Sequence, residues 1–192
     1  MQQFDPQMLL LLCFVLPVWL IAGFADWICT RATDIENTTG LKESWIPILM
    51  FLERELPLLP ALFLAVNALV IGFMIVLFFC HEATALWDVS YAVAAREVKP
   101  IKQHVHSFLE MVPLMALLLI ISRHWPQFQA LLGFGDEPPR FELMWRADPL
   151  PTGYIVFVLS TIFLLERRTW LEEYWRGKKA RKRAANKAAT GD

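Results

Sequence analysis

The stretch Phe79–Glu110 reads FCHEATALWDVSYAVAAREVKPIKQHVHSFLE. Three of the chain's four histidines sit in it, at His81, His104 and His106, with Glu82, Asp88 and Glu110 among them. Apolar runs flank both ends, Ala68–Phe79 before and Met111–Ile121 after. Ionisable side chains are costly in hydrocarbon, so those that persist there face a bundle interior and pair or bind something. Read in this way, the stretch is the meeting of two membrane helices broken at Lys99-Pro100, with a metal or proton site between them. The fold class that follows is an all-α polytopic membrane protein.

Composition supports that class. The 192 residues are 56% hydrophobic with a mean hydropathy of +0.42, against about 45–50% apolar in soluble chains. Several apolar runs reach the roughly 18 residues that a bilayer crossing needs. One membrane domain over residues 1–175 accounts for them, followed by a basic tail, 176–192. The net charge of −1 hides an asymmetry, since nine of the eighteen Lys and Arg lie between Arg167 and Lys187. Cys13, Cys29 and Cys80 lie in or beside apolar runs without CxxC spacing, as small buried hydrophobes do. A disulfide framework or a thiolate zinc site is therefore not expected.

Working outward, five helices are predicted, four of them forming a core bundle. The first covers about 8–36; with no basic start and no A-x-A site before it, it reads as a retained span. Asn37-Thr38-Thr39-Gly40 is turn chemistry, and a second helix follows over about 41–65. It carries Glu53, Arg54 and Glu55 in a row and is bent by Pro57 and Pro60. The third and fourth cover about 68–98 and 100–122, the latter with Pro113 inside. Prolines and scattered aromatics over 123–151 predict an interfacial loop with one or two short surface helices. A fifth helix covers 153–175, with Trp170, Tyr174 and Trp175 as an interfacial belt.

Five crossings put the termini on opposite sides. The positive-inside rule places the basic tail, the Arg31–Lys42 turn and the Arg96–Lys102 turn in the cytoplasm, and the N-terminus and the 123–151 loop outside. Leaving out Arg54 within the second helix, the inner segments carry fourteen Lys and Arg and the outer ones three. Localisation in a bacterial inner membrane follows as the expectation. Beside an apolar helix the tail suits anionic lipid head groups and not nucleic acid.

Depth then groups the polar residues. Taking the cytoplasmic turns at Thr38 and Lys99, Asp26 is twelve residues from its turn, Glu53 fifteen, Asp88 eleven and Glu110 eleven. His106 lies one turn from Glu110 on the same helical face, and His81 is seven residues from Asp88, again on one face. The candidate metal ligands are thus Asp26, Glu53, His81, Asp88, His106 and Glu110. Glu82, His104, Glu36 and Glu43 form a second rank: His104 points about 160° from His106 on a helix, and Glu36 and Glu43 suit a solvated turn. Each first-rank residue also has a plainer role, such as Asp26 pairing with Arg31, Glu53 with Arg54, or Asp88 with Tyr91.

Four carboxylates and two imidazoles projecting from four helices resemble, at the level of class, the membrane-bound di-iron carboxylate oxidases and hydroxylases, over roughly Asp26–Glu110. The chain has no Glu-x-x-His pair of the ferritin-like kind and none of the repeated histidine boxes of fatty-acid desaturases. The resemblance implies two metal ions, iron first, with manganese or zinc as substitutes. It also implies oxygen activation against a lipid, quinol or other hydrophobic substrate at the cytoplasmic side. A zinc-dependent lipid hydrolase using His81, Asp88 and His106 is the alternative enzyme. A haem carrier fits less well, because His81 and His106 differ in estimated depth. A non-catalytic assembly or transport subunit, its carboxylates forming a proton or cation path, is the third class.

Overall fold

The computed structural model describes residues 5–31, 46–95 and 100–164, and the regular elements among them are helices. α1 (Pro6–Leu10) begins at Asp5, whose carboxylate accepts from the Gln7 backbone N–H at 2.7 Å, with proline at the first helical position. One wider turn, Leu11–Val15, leads into α2 (Leu16–Arg31). Pro17 accounts for that turn. Its ring has no N–H for the Cys13 carbonyl, and the chain widens so that the Leu16 N–H reaches back to Leu11. The Leu12 carbonyl is then left without a helical donor, and the Tyr154 hydroxyl donates to it at 2.8 Å. A single proline thereby explains both the irregular turn and the tie to the last described helix.

After α3 (Ile46–Glu55) the chain turns at Leu56-Pro57 into α4 (Leu58–Phe63). The second helix expected over 41–65 is therefore broken, not merely bent, because Pro57 cannot continue the ladder; residues 41–45 lie outside the described residues. α5 (Ala68–Ala95) and α6 (Pro100–Arg123) are the long elements, followed by α7 (Trp125–Leu131) and α8 (Thr152–Leu164). Among the described residues, three spans are long and apolar enough to cross a membrane: Pro6–Cys29, Ala68–Ser90 and Gln103–Arg123. α8 is a shorter apolar helix as far as it is described. The expected aromatic belt at Trp170, Tyr174 and Trp175 and the basic tail lie outside the described residues.

α6 is the wall shared by the two cores. Leu109 and Val112 pack with Leu12, Val15 and Trp19 of the first span and with Val158 and Ile162 of α8. Leu117, Ile120 and Ile121 pack with Val70, Ile71 and Met74 of α5, where Leu131 of α7 also rests. α2 lies along α6 and α3 along α5. The opposite faces carry exposed apolar side chains at seven-residue intervals: Phe14, Ile21 and Ile28; Phe79 and Leu86; Met111 and Leu118. Two helical turns separate such positions, so each set forms a stripe along its helix. Those stripes suit lipid contact. The cysteines depart from the expected burial: Cys13 and Cys80 are exposed, each beside a stripe residue, Cys29 is half-buried, and all three are free thiols.

The loop over 123–151 departs from expectation. α7 is one short helix, but the chain after it is extended and runs against the link between α4 and α5. Ala65 N donates to Met144 O (2.8 Å), Arg146 N to Phe63 O (3.1 Å) and Leu69 N to Arg140 O (3.2 Å). Gly133 and Gly135 take positive φ, 79° and 95°, at the turn that reverses the chain. Asn67 accepts from Val70 N (3.2 Å), capping α5, and its amide donates to the Glu142 carbonyl (2.7 Å). The buried Gln127 accepts from the N–H groups of Ala68 and Arg140 and donates to Glu137 (3.1 Å). These two amides bind the loop to the start of α5.

Tyr154→Phe leaves the Leu12 carbonyl without a donor, and the expected loss is about 1–3 kcal/mol. Thermal unfolding of the detergent-solubilised protein checks it; the ring is retained, so the packing of α8 is left as it was.

Candidate functional site

On α5, His81, Thr84, Ala85 and Asp88 recur at helical spacing on one face, and the first three are buried. α3 lays Glu53 against that face. The Thr84 hydroxyl donates to Glu53 Oε1 at 3.0 Å and lies 3.1 Å from the Cys80 carbonyl, so it fixes the carboxylate to the helix. Glu53 Oε2 then faces His81 Nδ1 at 3.8 Å, with side chains only 11% and 6% exposed. Arg54, next to Glu53, pairs with Glu55 at 3.5 Å and sits 5.5 Å over the Trp19 ring. Glu53 thus has His81 and Thr84 beside it, in addition to the Arg54 that the sequence offered.

A second group forms where α2 meets α6. His106 Nδ1 faces Asp26 Oδ1 at 3.8 Å, and its Nε2 faces Glu110 Oε1 at 3.5 Å across one helical turn. The two groups are close enough for charge to act between them: Arg54 and His106 act on His81, Glu110 and His106 on Glu82, and Asp88 on His106. His104 is exposed and meets the Phe108 ring edge-on at 5.5 Å, away from the cluster. Glu36 and Glu43 lie outside the described residues. Of the first-rank candidates, Asp26, Glu53, His81, His106 and Glu110 come into contact, and Asp88 lies nearby on the same face.

Asp26 Oδ1, Glu53 Oε2, His81 Nδ1 and both ring nitrogens of His106 are buried without a hydrogen-bond partner. Buried polar atoms are rarely left so, and separations of 3.5–3.8 Å are too long for hydrogen bonds. Two ligands about 2.1 Å from one ion and about 110–130° apart are themselves about 3.4–3.8 Å apart. Among the described residues, however, no three His, Cys, Asp or Glu side chains are arranged around one point to hold an ion. The reason is visible at His106: its two carboxylates sit on opposite ring nitrogens, so one ion cannot reach both pairs.

Above this cluster an apolar cavity runs between the helices. Trp19, Glu53, Arg54 and His81 line one end, and Arg123, His124 and Arg146 the other. Arg123 pairs with Asp5, and Arg146 donates to the Ala61 carbonyl at 3.2 Å. Burial, then the charges of Arg123 and Arg146, push the His124 pKa down to about 4. Burial and Arg123 also lower that of Arg146, against Asp148. Sequence reasoning missed Thr84 and the two arginines. Thr84 had a signal, being three residues from His81 on the same face; Arg123 and Arg146 are brought together only by the loop.

Compared with known protein families, with curated proteins and with solved structures, the chain matches none.

Thr84→Val leaves Glu53 Oε1 without its donor and should cost about 1–3 kcal/mol of stability, with Thr84→Ser restoring it; thermal melts of the three proteins compare them. His124 gives a pH prediction. Its folded pKa is depressed to about 4 from 6.5, so the unfolded chain binds more protons between those values. Its share of stability is full above about pH 6.5 and is lost as pH falls towards about 4. Melts of wild type and His124→Gln across that window should show a shallower acid dependence in the variant.

Proposed function

We propose that the protein is a membrane-embedded, metal-dependent oxidoreductase, with two iron ions as its cofactor and a hydrophobic substrate, a lipid or a quinol. The observation that carries this reading is the set of five buried, unpartnered polar atoms on Asp26, Glu53, His81 and His106. They come from four helices and face one another in two pairs, Glu53 with His81 and Asp26 with His106, each 3.8 Å apart. Oxygen and imidazole donors suit iron or manganese over softer metals. Glu53 with His81 would hold one ion, and His106 with Asp26 or Glu110 the other. Asp88 and Glu82 are at hand on α5, and Glu36 and Glu43 stay in the set on sequence alone.

Iron would supply the oxygen and electron chemistry that these side chains lack. The residues themselves do the rest. Thr84 orients Glu53, the apolar walls of α2, α5 and α6 keep water from the cluster, and Arg54 beside Glu55 offsets part of the carboxylate charge. The reading includes five membrane crossings, with the broken α3–α4 segment as the second and the cluster below the cytoplasmic surface of a bacterial inner membrane. The C-terminal tail would lie in the cytoplasm on anionic lipid.

One observation favours a second reading. His106 stands between Asp26 and Glu110, one carboxylate on each ring nitrogen, as a proton-conducting imidazole would. A transport or assembly subunit would use it so, without metal.

Elemental analysis separates the two. Protein expressed in iron- and zinc-replete medium should carry about two irons per chain, lost in His106→Ala/Glu110→Ala. Equal metal in both proteins, or none in either, would move the assignment to the proton path. About one zinc per chain with no iron would point to the hydrolase.

A further inference from the structure

The cavity above the cluster has two polar ends and apolar walls. Met8, Leu12 and Val15 of the first span, Met74 and Phe78 of α5 and Ala116 of α6 are among the residues that line it. Along α6 and the residue after it the cavity extends from Val112 to His124, and along the first span from Gln7 to Trp19. Twelve residues of helix make about 18 Å, the scale of an extended long-chain acyl group. Three basic side chains, Arg123, His124 and Arg146, line one end. Asp5 pairs with Arg123, and Arg123 and Asp148 act on Arg146 with opposite signs. The Arg146 guanidinium at one mouth of an apolar tube, beside the Arg123–Asp5 pair, is complementary to an anion carrying a single long chain.

We propose that this cavity binds a single-chain anionic lipid, its carboxylate or phosphate head at Arg123, His124 and Arg146 and its chain running down to Glu53 and His81. Arg146 is the head-group anchor, because its guanidinium donates to the Ala61 carbonyl through one nitrogen and presents a planar fork of further N–H donors. His124, held neutral, offers a hydrogen bond without adding a third full charge. The chain end, not the head, would meet the acid–imidazole cluster. Binding stands independently of metal; only chemistry at the chain end rests on the proposed oxidoreductase.

The test uses the full chain in detergent and a spin-labelled C16 fatty acid as probe. Wild type should immobilise about one probe per chain. Arg146→Gln should weaken binding about tenfold, the value of one charge-assisted hydrogen bond. Ala116→Phe, which fills the tube with an apolar group, should abolish it. Unlabelled fatty acid or lysophosphatidate should displace the probe, the better competitor revealing which head the site takes, whereas the corresponding long-chain alcohol should compete poorly. Equal immobilisation by all three proteins, or equal competition by the alcohol, would overturn the proposal, since the probe would then be sampling the detergent-facing surface. Metal content measured on the same samples keeps the outcomes apart: binding without iron sinks the oxidoreductase and leaves the lipid site standing.

Discussion

Glu53 and His81 face each other 3.8 Å apart with almost no exposure, inside a chain whose long helices are mostly apolar. Taking a carboxylate and an imidazole out of water costs several kcal/mol each unless something compensates. Thr84 satisfies one Glu53 oxygen and no more. Much of the surrounding structure serves to hold these groups where they are. α3 is placed along α5, α2 along α6, and the break at Leu56-Pro57 turns the chain immediately after the charged triplet Glu53-Arg54-Glu55. The same cost argues that the cluster is retained for what it can bind or conduct.

At the other end of the molecule the organisation is polar too, but it relies on backbone groups. Asn67 and Gln127 each join stretches of chain far apart in sequence, and their amides complete the hydrogen bonding of the α4–α5 link and the extended loop. This layer of backbone brings Arg146 beside Arg123 and His124. The apolar cavity therefore connects two polar regions, one with Glu53, Arg54 and His81, the other with Arg123, His124 and Arg146.

The three long spans were legible because their apolar runs are long and are interrupted by strong breakers. Counting depth put Asp26, Glu53, Asp88 and Glu110 at one level with His81 and His106; of these, Glu53 meets His81, and Asp26 and Glu110 meet His106. Depth speaks of proximity alone and leaves the chemistry to the donor set. Counting from the turns works where a helix runs uninterrupted, and it did less well where proline changes the ladder. Pro57 divides a helix that periodicity runs through, and Pro17 widens a turn whose freed carbonyl is met by Tyr154, 142 residues away. The loop was least legible. Its pairing with residues 63–69 rests on hydrogen bonds between distant backbone groups, which leave no periodic trace, and so the arginines it carries gave no sign of a shared site.

The proposal makes ligands of the unpartnered oxygens and nitrogens of the cluster, and X-ray absorption at the iron edge, on protein loaded with iron and freed of adventitious metal, reads those bonds. The expected spectrum has a shell of nitrogen and oxygen at about 2.0–2.2 Å with outer scattering from imidazole, reduced when His81 is replaced by alanine. A spectrum indistinguishable from iron in buffer, unchanged by that substitution, would contradict it.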